Sequence, residues 1–272
     1  MKRSGWVILI IIIIIVAGGI YYFTRQSKNP PANNQTNQNP PTNQVAAEEV
    51  SLSSKEGVGN FLVDSKGMTL YYFAKDIIDK SNCTGACSTA WPAYYGENMT
   101  VKPPLNKSDF EEITRDDGSS QTTYKGWPLY HYQNDAKPGD ILGQGVANIW
   151  YVLTDPFYTV MVQNKTSVGG NYLVDAKGMT LYNYKSDRQG TSTTAAMSNC
   201  TGACLTEWLP FYADAIVVPS LMKTGDFSTL KRQDGSEQLL YKGWPLYQHT
   251  TDKKSGDTTG QGDYNLWFVV KP

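Results

Sequence analysis

The chain has 272 residues, 24 basic and 25 acidic side chains, a formal net charge of −1 and a charged fraction of only 18%. That length suits about two ordinary domains. The balanced charge, with no Lys/Arg stripe, excludes a nucleic-acid interface built on a basic face.

The first element is apolar. After Met1-Lys2-Arg3 an uncharged run extends from Ser4 to Thr24, and its centre, WVILIIIIIIVAGGIYYF, covers Trp6 to Phe23. Eighteen helical residues reach roughly 27 Å, which matches the hydrocarbon core of a bilayer. Trp6 and Tyr21-Tyr22 stand where interfacial aromatic rings prefer to sit, and Lys2 and Arg3 favour a cytoplasmic N-terminus. Residues 1–25 therefore read as a cytoplasmic stub and one transmembrane helix, with the rest of the chain exported. The alternative is a signal peptide cleaved near Ala17-Gly18-Gly19. A lipidated N-terminus would need a cysteine there, and none precedes Cys83.

Residues 26–48 are rich in Asn, Gln and Pro. They hold too little apolar surface to offset the entropy of ordering, so they read as a disordered stalk.

Beyond the stalk the sequence repeats itself. GNFLVDSKGMTLYYFAKD (Gly59 to Asp76) returns as GNYLVDAKGMTLYNYKSD (Gly170 to Asp187), with 12 of 18 positions identical. SNCTGAC, YKGWPLY and GQG return as well, and the segment RQGTSTTAAM (Arg188 to Met197) accounts for six extra residues in the second copy. Two copies follow, 49–155 and 156–272, joined by the short link Thr154-Asp155-Pro156-Phe157, so that they abut. A weaker half-repeat, G-x-x-L-Y-x-(F/Y/H)-x-x-D, occurs four times, from Gly67, Gly126, Gly178 and Gly243. Each copy is thus expected to consist of two related hairpin units.

Local patterns are β throughout. Asp64-Ser65-Lys66-Gly67, Lys125-Gly126 and Lys242-Gly243 place glycine where tight hairpin turns need positive φ. Asp116-Asp117-Gly118-Ser119 and Gln233-Asp234-Gly235-Ser236 are further turns. Short strands rich in Tyr, Val, Leu and Thr predict an all-β fold, with each copy a small sandwich or barrel of antiparallel hairpins. Trp150 to Leu153 reads as a strand buried on both faces, and the stretch after each cysteine pair, CSTAWPAYY in the first copy, as the only short helix.

Four groups of residues are candidates for chemistry. Cys83/Cys87 and Cys200/Cys204 form two C-T-G-A-C loops; in an oxidising compartment a disulfide within each copy is the default, and a redox-active disulfide the alternative. Neither C-x-x-C nor a following histidine is present, so the usual redox and haem signatures are missing. The two histidines are not equivalent: His131 aligns with Gln248, and His249 with Tyr132. A duplicated histidine metal site is excluded on that ground, and no cofactor is expected. Asp135 to Asp140 and Asp252 to Asp257 share D-x-x-x-G-D, which has too few ligands for a calcium loop and reads as turn capping. Last, each half-repeat pairs a tyrosine with an aspartate five residues on: Tyr71/Asp76, Tyr130/Asp135, Tyr182/Asp187 and Tyr247/Asp252. There the carboxylate is expected to accept the phenolic hydrogen or cap the following turn, a structural role. Trp91/Trp208, Trp127/Trp244 and Trp150/Trp267 are all duplicated and read mainly as core.

These segments, LVDSKGMTLYYFAKD, CTGACSTAW, DGSSQTTYKGWPLYHYQND and GDILGQG with their second copies, resemble the bacterial secreted or lipoprotein repeat family of unknown function marked by a Y-x(4)-D motif. The resemblance implies an exported, envelope-associated module and carries over no substrate, cofactor or catalytic residue. The expectation is a non-enzymatic binding or structural module of the cell envelope. Its partners would be the membrane and an envelope polymer or protein. Redox or electron transfer through the CTGAC pairs is the alternative.

Overall fold

A computed structural model describes residues 48–272. The expected transmembrane segment and all but the last residue of the stalk lie outside the described residues. Among the described residues no helix is long and apolar enough to cross a membrane.

The first copy runs β1 (Glu49–Lys55), β2 (Gly59–Val63), β3 (Tyr71–Phe73), α1 (Ala86–Ala90), β4 (Thr100–Val101), β5 (Phe110–Thr114), β6 (Ser120–Tyr124), β7 (Trp127–Pro128) and β8 (Trp150–Val152). The second runs β9 (Val160–Lys165), β10 (Gly170–Asp175), β11 (Tyr182–Tyr184), β12 (Trp208–Pro210), β13 (Phe227–Lys231), β14 (Glu237–Tyr241), β15 (Trp244–Pro245), β16 (Tyr247–His249) and β17 (Trp267–Val269). In each copy the strands divide among three small sheets: β2-β1-β4, β3-β8 and β5-β6-β7, then β10-β9, β12-β16-β11-β17 and β13-β14-β15. All pairings between these strands are antiparallel except β1 with β4. The strands are thus all-β hairpin material, as expected, but they do not join into one continuous barrel sheet.

The turns follow their sequence signals. Lys125 and Gly126 have φ of 52° and 81°, and Lys242 and Gly243 have 49° and 80°, the double positive φ of a two-residue hairpin turn. Asp64 accepts the amides of Lys66 and Met68 on Oδ1, which fixes the turn that ends in Gly67. The helix departs from expectation. It lies over Ala86–Ala90, straddling Cys87, because Trp91 precedes Pro92 and leaves helical φ/ψ. Its counterpart in the second copy is a 3-10 turn, Gly202–Thr206, and further 3-10 turns occur elsewhere.

The two copies share one core. Tyr72, Trp127, Tyr151 and Leu153 of the first pack in the same cluster as Val160, Met161, Val162, Tyr172 and Leu173 of the second. Polar contacts close the seam: the Trp127 indole donates to the Ala176 carbonyl (3.1 Å), and Gln163 Nε2 donates to the Asp76 carbonyl (3.0 Å) and to Ser255 Oγ (3.1 Å). Residues 48–272 therefore behave as one compact unit.

Candidate functional site

The half-repeat tyrosines sit at the centre of each copy. Tyr71 and Tyr130 exchange backbone hydrogen bonds, N to O at 2.9 Å and 3.0 Å, so the two half-repeats meet about a local pseudo-twofold. The second copy repeats the arrangement, with Tyr182 opposite Tyr247.

Across that axis the Tyr–Asp hydrogen bonds are crossed. The Tyr71 hydroxyl donates to Asp135 Oδ2 at 2.7 Å, and the Tyr130 hydroxyl donates to Asp76 Oδ2 at 2.6 Å. Likewise Tyr182 donates to Asp252 (2.8 Å) and Tyr247 to Asp187 (2.7 Å). The expected bond inside each Y-x(4)-D motif is not made. The tyrosine lies on an extended strand that rises about 3.3 Å per residue, and its aspartate closes the turn beyond, which carries the carboxylate away from its own phenol. On Oδ1, Asp76, Asp135, Asp187 and Asp252 each accept the amide of a following loop residue (Asn82, Leu142, Asn199 and Thr259).

The aromatic rings obey the same symmetry. Phe73, Trp150, Trp91 and Tyr132 form a four-ring column, with centroid spacings of 4.2, 3.8 and 4.1 Å. In the second copy the column is Tyr184, Trp267, Trp208 and His249, at 4.2, 3.7 and 4.1 Å. The outer ring of each half-repeat, two residues after its tyrosine, stacks on the tryptophan of the other half. The tyrosines stand edge-on to the indoles: Tyr71 to Trp91 at 5.4 Å, Tyr130 to Trp150 at 5.2 Å, Tyr182 to Trp208 at 5.2 Å and Tyr247 to Trp267 at 5.0 Å. His249 thus occupies the ring seat that Tyr132 fills, while His131 and Gln248 each reach an equivalent aspartate, Asp64 and Asp175.

The GQG loop roofs the column. A Cβ on Gly143 would lie 2.8 Å from Trp91 and from Tyr71, and one on Gly260 would lie 2.4 Å from Trp208. Only glycine lets the backbone approach the indole so closely. Between them, Gln144 and Gln261 accept the amides of Val152 and Val269.

The cysteines form the expected disulfides, Cys83–Cys87 and Cys200–Cys204. Cys83 is fully buried in the cluster that holds Tyr71, Tyr130, Trp91 and Trp150, and Cys87 packs against it. A buried arginine ties this loop to the site. Arg115 donates to Ser81 Oγ, to Gln121 Oε1 and to the Cys83 carbonyl, and Ser81 in turn meets the Tyr130 hydroxyl at 2.7 Å. Arg232, Ser198, Gln238 and the Cys200 carbonyl repeat the network. These arginines were not among the sequence candidates. Their signal was the retention of an Arg at the same place before both D-G-S turns.

Burial dominates the electrostatics. It pushes the Asp76 carboxyl up to about 7 and that of Asp187 up to about 6, partly offset by their hydrogen bonds. Asp135 is raised for the same reason. All four tyrosines are pushed above the ordinary phenol value, so the phenols stay protonated. The D-x-x-x-G-D carboxylates cap turns: Asp140 accepts the amides of Ala136 and Lys137, and Asp257 those of Lys253 and Lys254.

Comparison with known proteins gives one family. The family described as a secreted repeat of unknown function matches at residues 53–94, 112–154, 165–211 and 228–271, so its unit is the half-repeat. No curated protein and no solved structure matches the chain. The four matches cover more than half of the sequence, and the chain belongs to this family of extracytoplasmic secreted repeats.

Proposed function

We propose that the chain is a single-pass membrane protein whose paired copies form a rigid extracytoplasmic binding module for an anionic cell-envelope polymer. The observation that carries this reading is the inward commitment of the motif. The hydroxyl of each half-repeat tyrosine and both carboxylate oxygens of each motif aspartate are bonded inside the fold. The motif builds a scaffold, and partners are left to the surface between the copies.

That surface holds a cleft of about 420 Å³ whose lining includes Lys75, Lys165 and Lys254, the polar Asn82 and Asn164, and the carboxylates Asp76 and Asp257. Lys75 and Lys254, with Lys165 held beside them by the Gly256 carbonyl and Thr258 Oγ1, suit phosphate or carboxylate groups spaced along a polymer. The apolar segment Trp6 to Phe23 would hold the module at the membrane, with the N-terminus cytoplasmic and residues 26–48 as the spacer.

The test is co-sedimentation of the detergent-solubilised full chain with purified wall polymer, at low and high salt. Salt-sensitive binding that is lost when Lys75, Lys165 and Lys254 become Ala supports the reading. Unchanged binding in that variant, or release of cleaved polymer, overturns it. Alkaline extraction of membranes checks the anchor, since an uncleaved span stays in the pellet.

A further inference from the structure

The two indoles of each column are stacked, with centroids 3.8 Å apart and planes 1° from parallel in the first copy, 3.7 Å and 1° in the second. Both copies keep this close, parallel indole pair. Overlapping π systems share a positive charge, so a stacked indole pair gives up an electron more readily than a lone indole. Beside each pair stand two phenols whose protons already point at carboxylates, at 2.6–2.8 Å.

We propose that each column is a one-electron relay, in which the indole pair is oxidised first and a motif tyrosine supplies the replacement electron. The oxidant is external, a high-valent metal complex or an oxygen-centred radical reaching the envelope. It takes one electron from the indole pair and leaves reduced. The pair regains that electron from Tyr71 or Tyr130, or in the second copy from Tyr182 or Tyr247. The phenol O–H bond breaks as its proton passes to the bonded carboxylate. The products are the reduced oxidant, a neutral phenoxyl radical and a carboxylic acid. An external one-electron donor reverses the step, and the proton returns.

The surroundings suit this chemistry. The indoles are 2–5% exposed, which shields a radical from solvent, while the outer rings Tyr132 and Tyr184 are half-buried and give each column an end near the surface. The cysteines are already joined as disulfides and hold no thiol to be consumed, so the relay is distinct from thiol exchange.

The experiment is flash oxidation of the detergent-solubilised full chain with photogenerated tris(bipyridine)ruthenium(III), read by transient absorption and electron paramagnetic resonance. Exposed tyrosines compete, so Tyr95, Tyr212 and Tyr264 (40, 39 and 72% exposed) are first replaced by Phe. A phenoxyl signal should persist in that background. Asp76→Asn, Asp135→Asn, Asp187→Asn and Asp252→Asn, combined, keep a carbonyl acceptor but no base. They should slow phenoxyl formation by about a hundred-fold, the scale of losing a positioned proton acceptor. If these variants do not fold, Trp91→Phe with Trp208→Phe carries the test, by breaking both indole pairs while retaining rings. Loss of the signal with the exposed tyrosines, or phenoxyl formation untouched by the folded variants, overturns the proposal.

Discussion

Tyr71→Phe deletes one hydroxyl from a fully buried ring and leaves Asp135 Oδ2 without its donor, while Oδ1 keeps the Leu142 amide. Losing a buried hydrogen bond to a charged group costs about 1.5–3 kcal/mol. For a unit of this size that corresponds to a drop of roughly 4–9 °C in the unfolding midpoint. The informative measurement is a pair of double-mutant cycles, followed by tryptophan fluorescence in urea. Because the bond is crossed, Tyr71→Phe should couple to Asp135→Asn by about 1–2 kcal/mol. It should be nearly additive, within about 0.5 kcal/mol, with Asp76→Asn, its neighbour in the motif. The second-copy cycle should likewise pair Tyr182 with Asp252. A larger coupling inside a motif than across the axis refutes the crossed arrangement.

Other perturbations follow from the same site. Asp76 and Asp187 have folded values near 7 and 6, above the roughly 3.9 of an unfolded Asp, so their stabilising contribution is whole below about pH 4 and is lost as pH rises through those values. The thermal midpoint should therefore fall between about pH 4 and about pH 7, by an amount equivalent to a few kcal/mol, and Asp76→Asn should flatten the profile; a rising midpoint contradicts the assignment. Gly143→Ala drives a methyl into Trp91 and should cost about 1–3 kcal/mol with altered near-UV circular dichroism. Gly118→Ala, at φ +82° in open space, should cost only about 1 kcal/mol and leave that spectrum unchanged. Arg115→Lys keeps the charge but loses the fork that reaches Ser81, Gln121 and the Cys83 carbonyl together, and should destabilise by about 2–4 kcal/mol in chemical denaturation.

What was legible in the sequence was local. Lys125-Gly126 and Lys242-Gly243 specify their turn through two residues, and the duplication revealed itself by identity. The disulfides needed only short spacing and compartment. The choice of partner was not legible, because Asp76 and Asp135 stand in equivalent motifs and either could have served Tyr71. Pairing across the axis depends on where two strands meet, and no window of residues along the chain records that. The ring column was hidden for a related reason. Its seats accept Phe, Tyr or His, so Phe73, Tyr132, Tyr184 and His249 carry no common letter, and alignment made the histidine look anomalous. Arg115 was masked by its turn, whose Asp-Gly-Ser signal explained the segment without it.

The crossed bonds also decide which repeat can fold. The family unit is one half-repeat, and four are present. A half-repeat alone, such as residues 53–94, would bury Asp76 with no Tyr130 and would leave Phe73 and Trp91 without their stacking partners Trp150 and Tyr132. An unpartnered buried carboxylate costs several kcal/mol, comparable to the whole stability of a segment so small. A chain ending after residue 94 should therefore show no tertiary near-UV signal. Adding a separate second chain that supplies residues 95–272 should restore the signal, provided its Tyr130 is intact. With Tyr130→Phe in the second chain, reassembly should weaken by about ten-fold or more, since about 1.5 kcal/mol is lost at the crossing. Folding of the half-repeat by itself would show that the motif is self-sufficient and that the crossing is incidental. Recovery only with the intact second half would make the pair, rather than the family's repeat, the physical unit of this fold.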